Sequence, residues 1–228
     1  MKITLIHTTT HKDKSTSHLI GDWILQYISE RVRLGLMEKP LIEVIDASKL
    51  HIVENLSCYA SGGRNCASYD SGKYRCWAHK NSVENPNEYG GVDEMPVIYD
   101  AIESSDAVIY LTSVRWGSHS ALLQKIIERM NTLENRTSVY GEPNFFAGKK
   151  CGVVVTGQHW KSQEVASHLI SVFCLMGFEV NNMSTLSWQS TFDMNKEQVG
   201  DNRPLLQNDM HSDRFIPLVE FMDLGMGV

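Results

Sequence analysis

The sequence predicts a doubly wound α/β domain, a mostly parallel sheet with helices on both faces. Three observations carry that expectation. Short apolar, β-branched runs alternate along the chain with segments of helical periodicity, and parallel strands need such crossovers to cover both faces. The length of 228 residues suits one α/β domain and is enough to bury both faces of a sheet. No internal repeat or low-complexity linker divides the chain, so residues 1–228 are expected to form a single domain.

The first strand is expected over residues 2–8, which break into the polar stretch Thr9 to Ser17. Leu19, Ile20, Trp23, Ile24, Tyr27, Ile28 and Val32 then recur at helical spacing, and Ser15, Thr16 or Ser17 can cap that helix. Leu41 to Asp46 reads as the second strand. Residues 47–92, rich in Ser, Gly, Asn, Tyr and Cys, show no sustained period and read as a long loop insertion. A helix carries Met95, Ile98, Tyr99 and Ile102, and Ala107 to Thr112 follows as a buried strand. After the loop Ser113 to Ser118 comes a helix with Leu122, Leu123, Ile126, Ile127 and Met130. Cys151 to Thr156 is the fourth strand, Gly157 to Ser162 its loop and Val165 to Met176 its helix. A fifth strand is expected over Phe178 to Leu186, an irregular polar segment over 187–209 and a closing helix over Phe215 to Leu224.

Composition narrows the function. With 42% hydrophobic and 21% charged residues the chain reads as globular, and a net charge of -6 argues against nucleic acid, whose phosphates need clustered cations. No apolar run is long enough to span a bilayer, and the N-terminus enters a strand without a signal-peptide pattern. Five cysteines, an odd number, do not suggest a disulfide framework. The expected location is cytoplasmic, with no membrane partner.

Ligands of open parallel sheets sit beyond the carboxyl ends of the strands, so three polar loops are candidates. The first, Thr8 to Ser17, leads into a helix N-terminus, where free amides, hydroxyls and the helix dipole suit a phosphate monoester. It has neither the Walker pattern nor the glycines of a dinucleotide fingerprint, and its hydroxyls could instead serve only as helix caps. The second, Thr112-Ser113-Val114-Arg115-Trp116-Gly117-Ser118, offers amides for the polar edge of a planar ring and an indole wall, unless Trp116 is simply a core or interface aromatic. The third, Thr156-Gly157-Gln158-His159-Trp160, repeats that recipe, with His159 as a proton donor, an anion contact or a solvated loop residue.

The stretch Thr112 to Leu123, followed by Ile127-Glu128-Arg129, resembles the T-P-V-Y-W-G-S-x-S-A-x-L segment of the NAD(P)H-dependent FMN reductases and flavodoxin-like oxidoreductases. Thr9 to Thr16 keeps the spacing of that family's phosphate loop, G-S-P-R-x-x-G-N-T, and Asp93 to Ile102 is similar to its D-D-M-x-x-I-Y-x-A-I helix. Thr8 stands in place of the loop glycine, and Ser113 and Arg115 replace the usual Pro and Tyr, so that a cation lies where others have a phenol.

The resemblance implies a flavodoxin-like five-stranded sheet in the order 2-1-3-4-5. It also implies bound FMN, reduced by NADH or NADPH and passing electrons to a quinone, flavin or similar small-molecule acceptor. Thr9, His11, Ser15, Thr16 and Ser17 would take the phosphate, Thr112, Ser113, Val114, Arg115, Trp116 and Gly117 the ring, and Thr156, Gly157, Gln158 and His159 the far side. No protein nucleophile is required, so no catalytic residue is assigned. Relatives that bind flavin between subunits imply a homodimer or homotetramer. Two other functions share the fold: an electron carrier without NAD(P)H activity, and a binding module that has lost FMN.

Cys58, Cys66, Cys76 and His79 lie in the insertion, where related iron–sulfur flavoproteins carry four closely spaced cysteines. Three thiolates and an imidazole satisfy a tetrahedral zinc site by residue type, but the spacing lacks the usual C-x2-4-C pairs. Plain loop thiols are the favoured reading, ahead of a metal or a redox disulfide, and no metal is assigned. Cys151 and Cys174 are expected in the core. Tyr59, Tyr69, Tyr74, Arg75 and Trp77 of the same insertion could form a lid or an interface patch.

Overall fold

Near-continuous apolar runs let the central strands sit between two helical layers. In a computed structural model describing residues 1–9, 15–58, 65–68, 72–157, 160–189 and 218–220, the sheet comprises β1 (Lys2–His7), β2 (Leu41–Asp46), β3 (Ala107–Ser113), β4 (Lys150–Gly157) and β5 (Thr185–Gln189). All neighbours pair in parallel, in the order β2-β1-β3-β4-β5. Ala107, Ile109 and Leu111 of β3 point to one face, and Val108 and Tyr110 to the other. Both sets are buried, as expected where helices cover both sides of a parallel sheet.

One face is covered by α1 (Thr16–Arg33), whose Ile20, Ile24 and Ile28 form a stripe against Ile3, Leu5 and Ile109; Leu218 and Val219 join this core. The other carries α3 (Met95–Ser104), α4 (Ala121–Ser138) and α5 (Ser162–Met176). There the Tyr110 ring stacks on Phe173 at 4.6 Å, and Tyr99 donates to the Arg129 carbonyl at 2.6 Å, which spares its buried hydroxyl a desolvation penalty.

Three expectations change. The fifth strand starts at Thr185 rather than Phe178, because Asn181 and Ser184 close a turn through Asn181 N–H to Ser184 Oγ (2.7 Å) and Ser184 N–H to the Asn181 carbonyl (3.0 Å). Only a bridge from Glu179 to Lys150 precedes it. The insertion is not all loop: it holds a 3-10 turn at Ala47–Lys49 and a helix, α2 (Trp77–Glu84). Cys151 is buried as expected, but Cys174 is exposed on α5. Residues 187–189 belong to β5, whereas 190–209 lie outside the described residues. Of the expected closing helix only 218–220 are described, and they are helical.

Candidate functional site

Hydrogen bonds lace the loops after β1, β3 and β4 into one corner at the carboxyl edge of the sheet. Thr8 N–H and Thr8 Oγ1 both donate to the Leu111 carbonyl at 2.9 Å. Ser120, the N-cap of α4, donates through Oγ to the Thr8 carbonyl at 2.6 Å and accepts from Thr112 Oγ1 at 3.2 Å. Val114 N–H donates to the Thr156 carbonyl at 2.8 Å, and Thr156 Oγ1 returns a bond to the Thr112 carbonyl at 3.2 Å. Three predicted loops therefore meet.

At the first loop, Thr9, Ser15 and Ser17 bring their hydroxyls together. Thr9 Oγ1 lies 3.1 Å from Ser17 Oγ and 3.4 Å from Ser15 Oγ, and the two serine oxygens are 2.9 Å apart. Ser15 is the N-cap, accepting from His18 N–H, and its hydroxyl also bonds His18 Nδ1 at 2.7 Å. Thr16 and Ser17 open the helix, where backbone N–H groups have no intrahelical acceptor and the dipole is positive. Among the described residues of this loop the side chains are hydroxyl donors without a carboxylate, which suits a phosphate dianion. His11 lies outside the described residues.

His18 was not singled out by the sequence. Its ring stacks on His7, the last residue of β1, with centroids 4.2 Å apart, and its Nε2 stands 4.0 Å from Asp46 Oδ2. His7 sits against Gly21, where a Cβ would come within 2.6 Å of its ring. Burial first, and then the neighbouring His18, hold the His7 pKa down at about 4. The unfolded chain, with an ordinary imidazole near pH 6.5, thus binds the extra proton between those values. Stability from this group is complete above about pH 6.5 and is lost as pH falls towards 4, a difference of about 3 kcal/mol. Urea unfolding at pH 7 and pH 5 should show that decline in the native chain and a flatter response in His7→Gln. Equal slopes in the two proteins would refute it.

The second loop is a tight hairpin. Arg115 N–H donates to the Ser118 carbonyl at 2.7 Å and Ser118 N–H to the Arg115 carbonyl at 3.0 Å. The two residues between, Trp116 (φ 50) and Gly117 (φ 84), both occupy the left-handed region, as a type I′ turn demands. Glycine accepts that backbone readily, but a bulky indole does not. The Trp116 side chain is 98% exposed, so no core packing compensates. Strain of this kind gathers where a ligand or partner uses the conformation. A Cβ on Gly117 would stand 3.2 Å from Lys161 Cδ and 3.8 Å from the Trp160 ring, which places two indoles and a lysine at one rim. Lys161 is itself left-handed (φ 60) just ahead of α5, and its Nζ lies over the Trp160 ring at 5.2 Å.

Behind this rim, Ser113 Oγ is buried without a partner among the described residues, an orphaned hydroxyl that the polar edge of a flavin ring would satisfy. Arg115 is exposed, and among the described residues its side chain donates to the Val114 carbonyl at 3.4 Å. Gly157 closes β4, where a Cβ would lie 3.3 Å from Val114 Cγ2 and from the Trp160 carbonyl. Gln158 and His159 lie outside the described residues. The donor-lined corner, the orphaned hydroxyl and the indole rim fit FMN. Sequence reasoning named Thr8 only as the start of the first loop, without its bonds, and missed Ser120 and Lys161; of these two only Ser120 had a legible signal, as a serine just ahead of a helix.

Cys58, Cys66 and Cys76 line one cleft with Trp77, Arg129 and Thr132, while His79 turns to Asp93, bonding its carbonyl through Nδ1 at 3.0 Å. Among the described residues no three or more His, Cys, Asp or Glu side chains are arranged to hold a metal ion. Tyr74 is buried against Tyr99 rather than in a lid, and Arg75 pairs with Glu142; Tyr59 and Tyr69 are outside the described residues. No helix among the described residues is long and apolar enough to cross a membrane.

Known structures share this architecture. RosB with bound 8-demethyl-8-formylriboflavin-5'-phosphate superposes with a TM-score of 0.66 at 15% identity, over 97% of this chain and 75% of that one. An FMN-dependent NADH-azoreductase from Bacillus anthracis in complex with FMN gives 0.58 at 14% identity, over 96% and 97%. The azoreductase AzrA gives 0.57 at 12%, over 98% and 99%. At such identities the likeness establishes the flavodoxin-like fold. No curated protein matches the chain significantly. The model of the NADPH-dependent FMN reductases matches residues 1–192, over most of the chain. On that match, and with a corner that fits the cofactor, the chain belongs to the NADPH-dependent FMN reductase family and is an FMN-binding oxidoreductase that uses NAD(P)H.

Proposed function

We propose that residues 1–228 form one FMN domain that takes hydride from NADH or NADPH and delivers electrons to a planar acceptor such as a quinone or a free flavin. The observation that carries this reading is the laced corner, with hydroxyls of Thr9, Ser15 and Ser17 on one side and the strained Trp116–Gly117 turn on the other. Bound FMN supplies the electron chemistry, accepting two electrons and releasing them to the acceptor. Thr9, Ser15, Ser17 and the first amides of α1 hold the phosphate, with Thr16 lending its backbone. Residues 112–117 hold the ring edge, and Thr156 and Gly157 close the far side, together with Gln158 and His159. His11 would complete the phosphate loop. The indoles of Trp116 and Trp160 offer flat apolar walls to an acceptor, and Arg115 and Lys161 favour one that carries negative charge. The proposed setting is cytoplasmic, and the fully exposed Trp116 suits an assembly of two or four copies.

Titration of the apoprotein with FMN and with riboflavin tests the phosphate assignment. Ser17→Ala should weaken FMN binding about tenfold or more, the worth of a hydrogen bond to a charged group, and leave riboflavin unchanged. Equal losses for both ligands would sink it. Anaerobic mixing of the FMN-loaded protein with NADPH then tests turnover, since rapid bleaching distinguishes a reductase from a carrier that needs a protein donor.

A further inference from the structure

Cys58, Cys66 and Cys76, eight and ten positions apart in the sequence, share one cleft, and the chain bends sharply to bring them there. Five non-glycine residues among those described have left-handed backbone, and three of them flank these cysteines: Ser57 (φ 48) before Cys58, Ala67 (φ 61) after Cys66 and Arg75 (φ 50) before Cys76. The other two, Trp116 and Lys161, belong to the cofactor corner. Each costs about 1–3 kcal/mol and persists only where surrounding structure enforces it. The cleft has room for about one water-sized molecule, and Cys58 and Cys66 are both nearly buried.

The sulfurs are not equivalent. Cys58 and Cys66 line the same cleft, close enough for each thiol to act on the ionisation of the other. Asn131 Nδ2 donates to Cys66 Sγ at 3.3 Å, and Arg129 Nη2 donates to Cys76 Sγ at 3.3 Å. The neighbouring Cys58 thiol, opposed by burial and aided by Asn131 and the Arg129 charge, brings the Cys66 pKa down to about 7. The neighbouring Cys66 and burial push the Cys58 thiol well up. Cys66, which accepts from Asn131, is therefore the readier of the two to ionise, and Cys58 the readier to keep its proton. Arg129, whose charge Asp93 balances, still turns an N–H donor into the cleft, and a donor there suits an anionic sulfur.

We propose that Cys66 and Cys58 are a peroxide-reactive dithiol, with Cys66 the attacking sulfur and Cys58 the resolving one. The Cys66 thiolate attacks one oxygen of hydrogen peroxide; the O–O bond breaks, the leaving hydroxide takes a proton to become water, and Cys66 becomes a sulfenic acid. The Cys58 sulfur then attacks that sulfur, the S–O bond breaks, the Cys58 proton leaves with the hydroxyl as a second water, and a Cys58–Cys66 disulfide remains. Two thiols lose two electrons and one peroxide gains them. Dioxygen acting on a reduced flavin yields this same oxidant, but the proposal rests on the thiol geometry and holds whether or not FMN binds.

The test treats the reduced full-length protein with hydrogen peroxide at pH 7, blocks the remaining thiols with iodoacetamide and maps tryptic peptides by mass spectrometry without reductant. Arg64 separates the two cysteines, so the disulfide appears as a linked peptide pair that dithiothreitol dissolves. Cys66, which accepts from Asn131 beside the Arg129 guanidinium, should react roughly tenfold faster than the exposed Cys174. Cys58→Ser, checked for native circular dichroism, should leave Cys66 as a sulfenic acid trapped by dimedone and further oxidised in excess peroxide. Cys76→Ala should leave the linked pair intact. The proposal is overturned if Cys76 supplies the partner sulfur, if Cys66 reacts no faster than Cys174, or if the protein as isolated carries stoichiometric zinc on these thiols.

Discussion

Asp93→Ala is expected to lower the free energy of unfolding by about 3–5 kcal/mol, the cost of leaving a buried charge without its partner. Asp93 and Arg129 are almost wholly shielded from solvent. They form a two-pronged pair, with Nη1 to Oδ1 at 2.9 Å and Nη2 to Oδ2 at 2.6 Å. Val53 N–H adds a bond to Oδ1 at 2.9 Å, and Arg129 Nη1 also donates to the Val53 carbonyl at 2.7 Å. The pair thus clamps the segment after β2 against α4. Removing the carboxylate strands a guanidinium that cannot shed its proton. Urea unfolding measures the loss. Glu84→Ala, which breaks an exposed pair with Lys80, is the control and should have a far smaller effect. A loss below about 1 kcal/mol in Asp93→Ala would mean that Arg129 finds other acceptors.

The same pair sets an acid response. Burial opposes ionisation of Asp93, but bonds from His79 and Arg129 and the Arg129 charge outweigh it and hold the carboxyl well below its usual range. Its contribution is complete above an unfolded value near pH 4 and is lost as pH falls through the lower folded value. Asp93→Asn should flatten that acid limb. The effect lies below the window of His7, so the two groups can be separated in one titration.

Gly117→Val should raise the dissociation constant for FMN by roughly 5- to 150-fold, which corresponds to about 1–3 kcal/mol of backbone strain. A β-branched residue at φ +84 cannot keep the turn, and its Cβ would crowd Lys161. Quenching of flavin fluorescence on titration measures the change. Gly141→Ala is the matched control: its φ is +68 with open space around it, so it should destabilise the chain and leave FMN affinity alone. Trp116→Gly sharpens the point, because relief of strain should make the protein more stable while loss of the indole weakens binding. If Trp116→Gly weakened both together, the indole would be a packing residue and the strain argument would fail.

The central strands and α1 were legible because their apolar residues follow a single period: Ile20, Ile24 and Ile28 make one stripe, and Ile109 and Tyr110 point opposite ways. β5 was misplaced because apolar Phe178 and Val180 lead into a turn that only the Asn181 and Ser184 side chains explain. α2 escaped because Trp77, His79 and Lys80 give it no apolar face to recognise. At the site, the hydroxyls of the first loop and the Trp116 turn could be read locally. The bonds of Thr8 and Ser120 could not, since they depend on which strands become neighbours. The meeting of Cys58, Cys66 and Cys76 was hidden for the same reason, as spacing along the chain says little once the backbone bends at Ser57, Ala67 and Arg75.

The lacing of the corner has a bearing on when the protein can acquire its cofactor. The bond from Ser120 to the Thr8 carbonyl spans 112 positions, and the bond from Val114 to Thr156 joins β3 to a strand made still later. The first needs β1 beside β3 and the second β3 beside β4, so each waits on long-range chain closure and neither can nucleate it. A chain still emerging from synthesis, or halted before β4, has the hydroxyl loop but no pocket. Flavin therefore needs the finished sheet for its complete pocket, and a yellow molecule is one that has completed its topology.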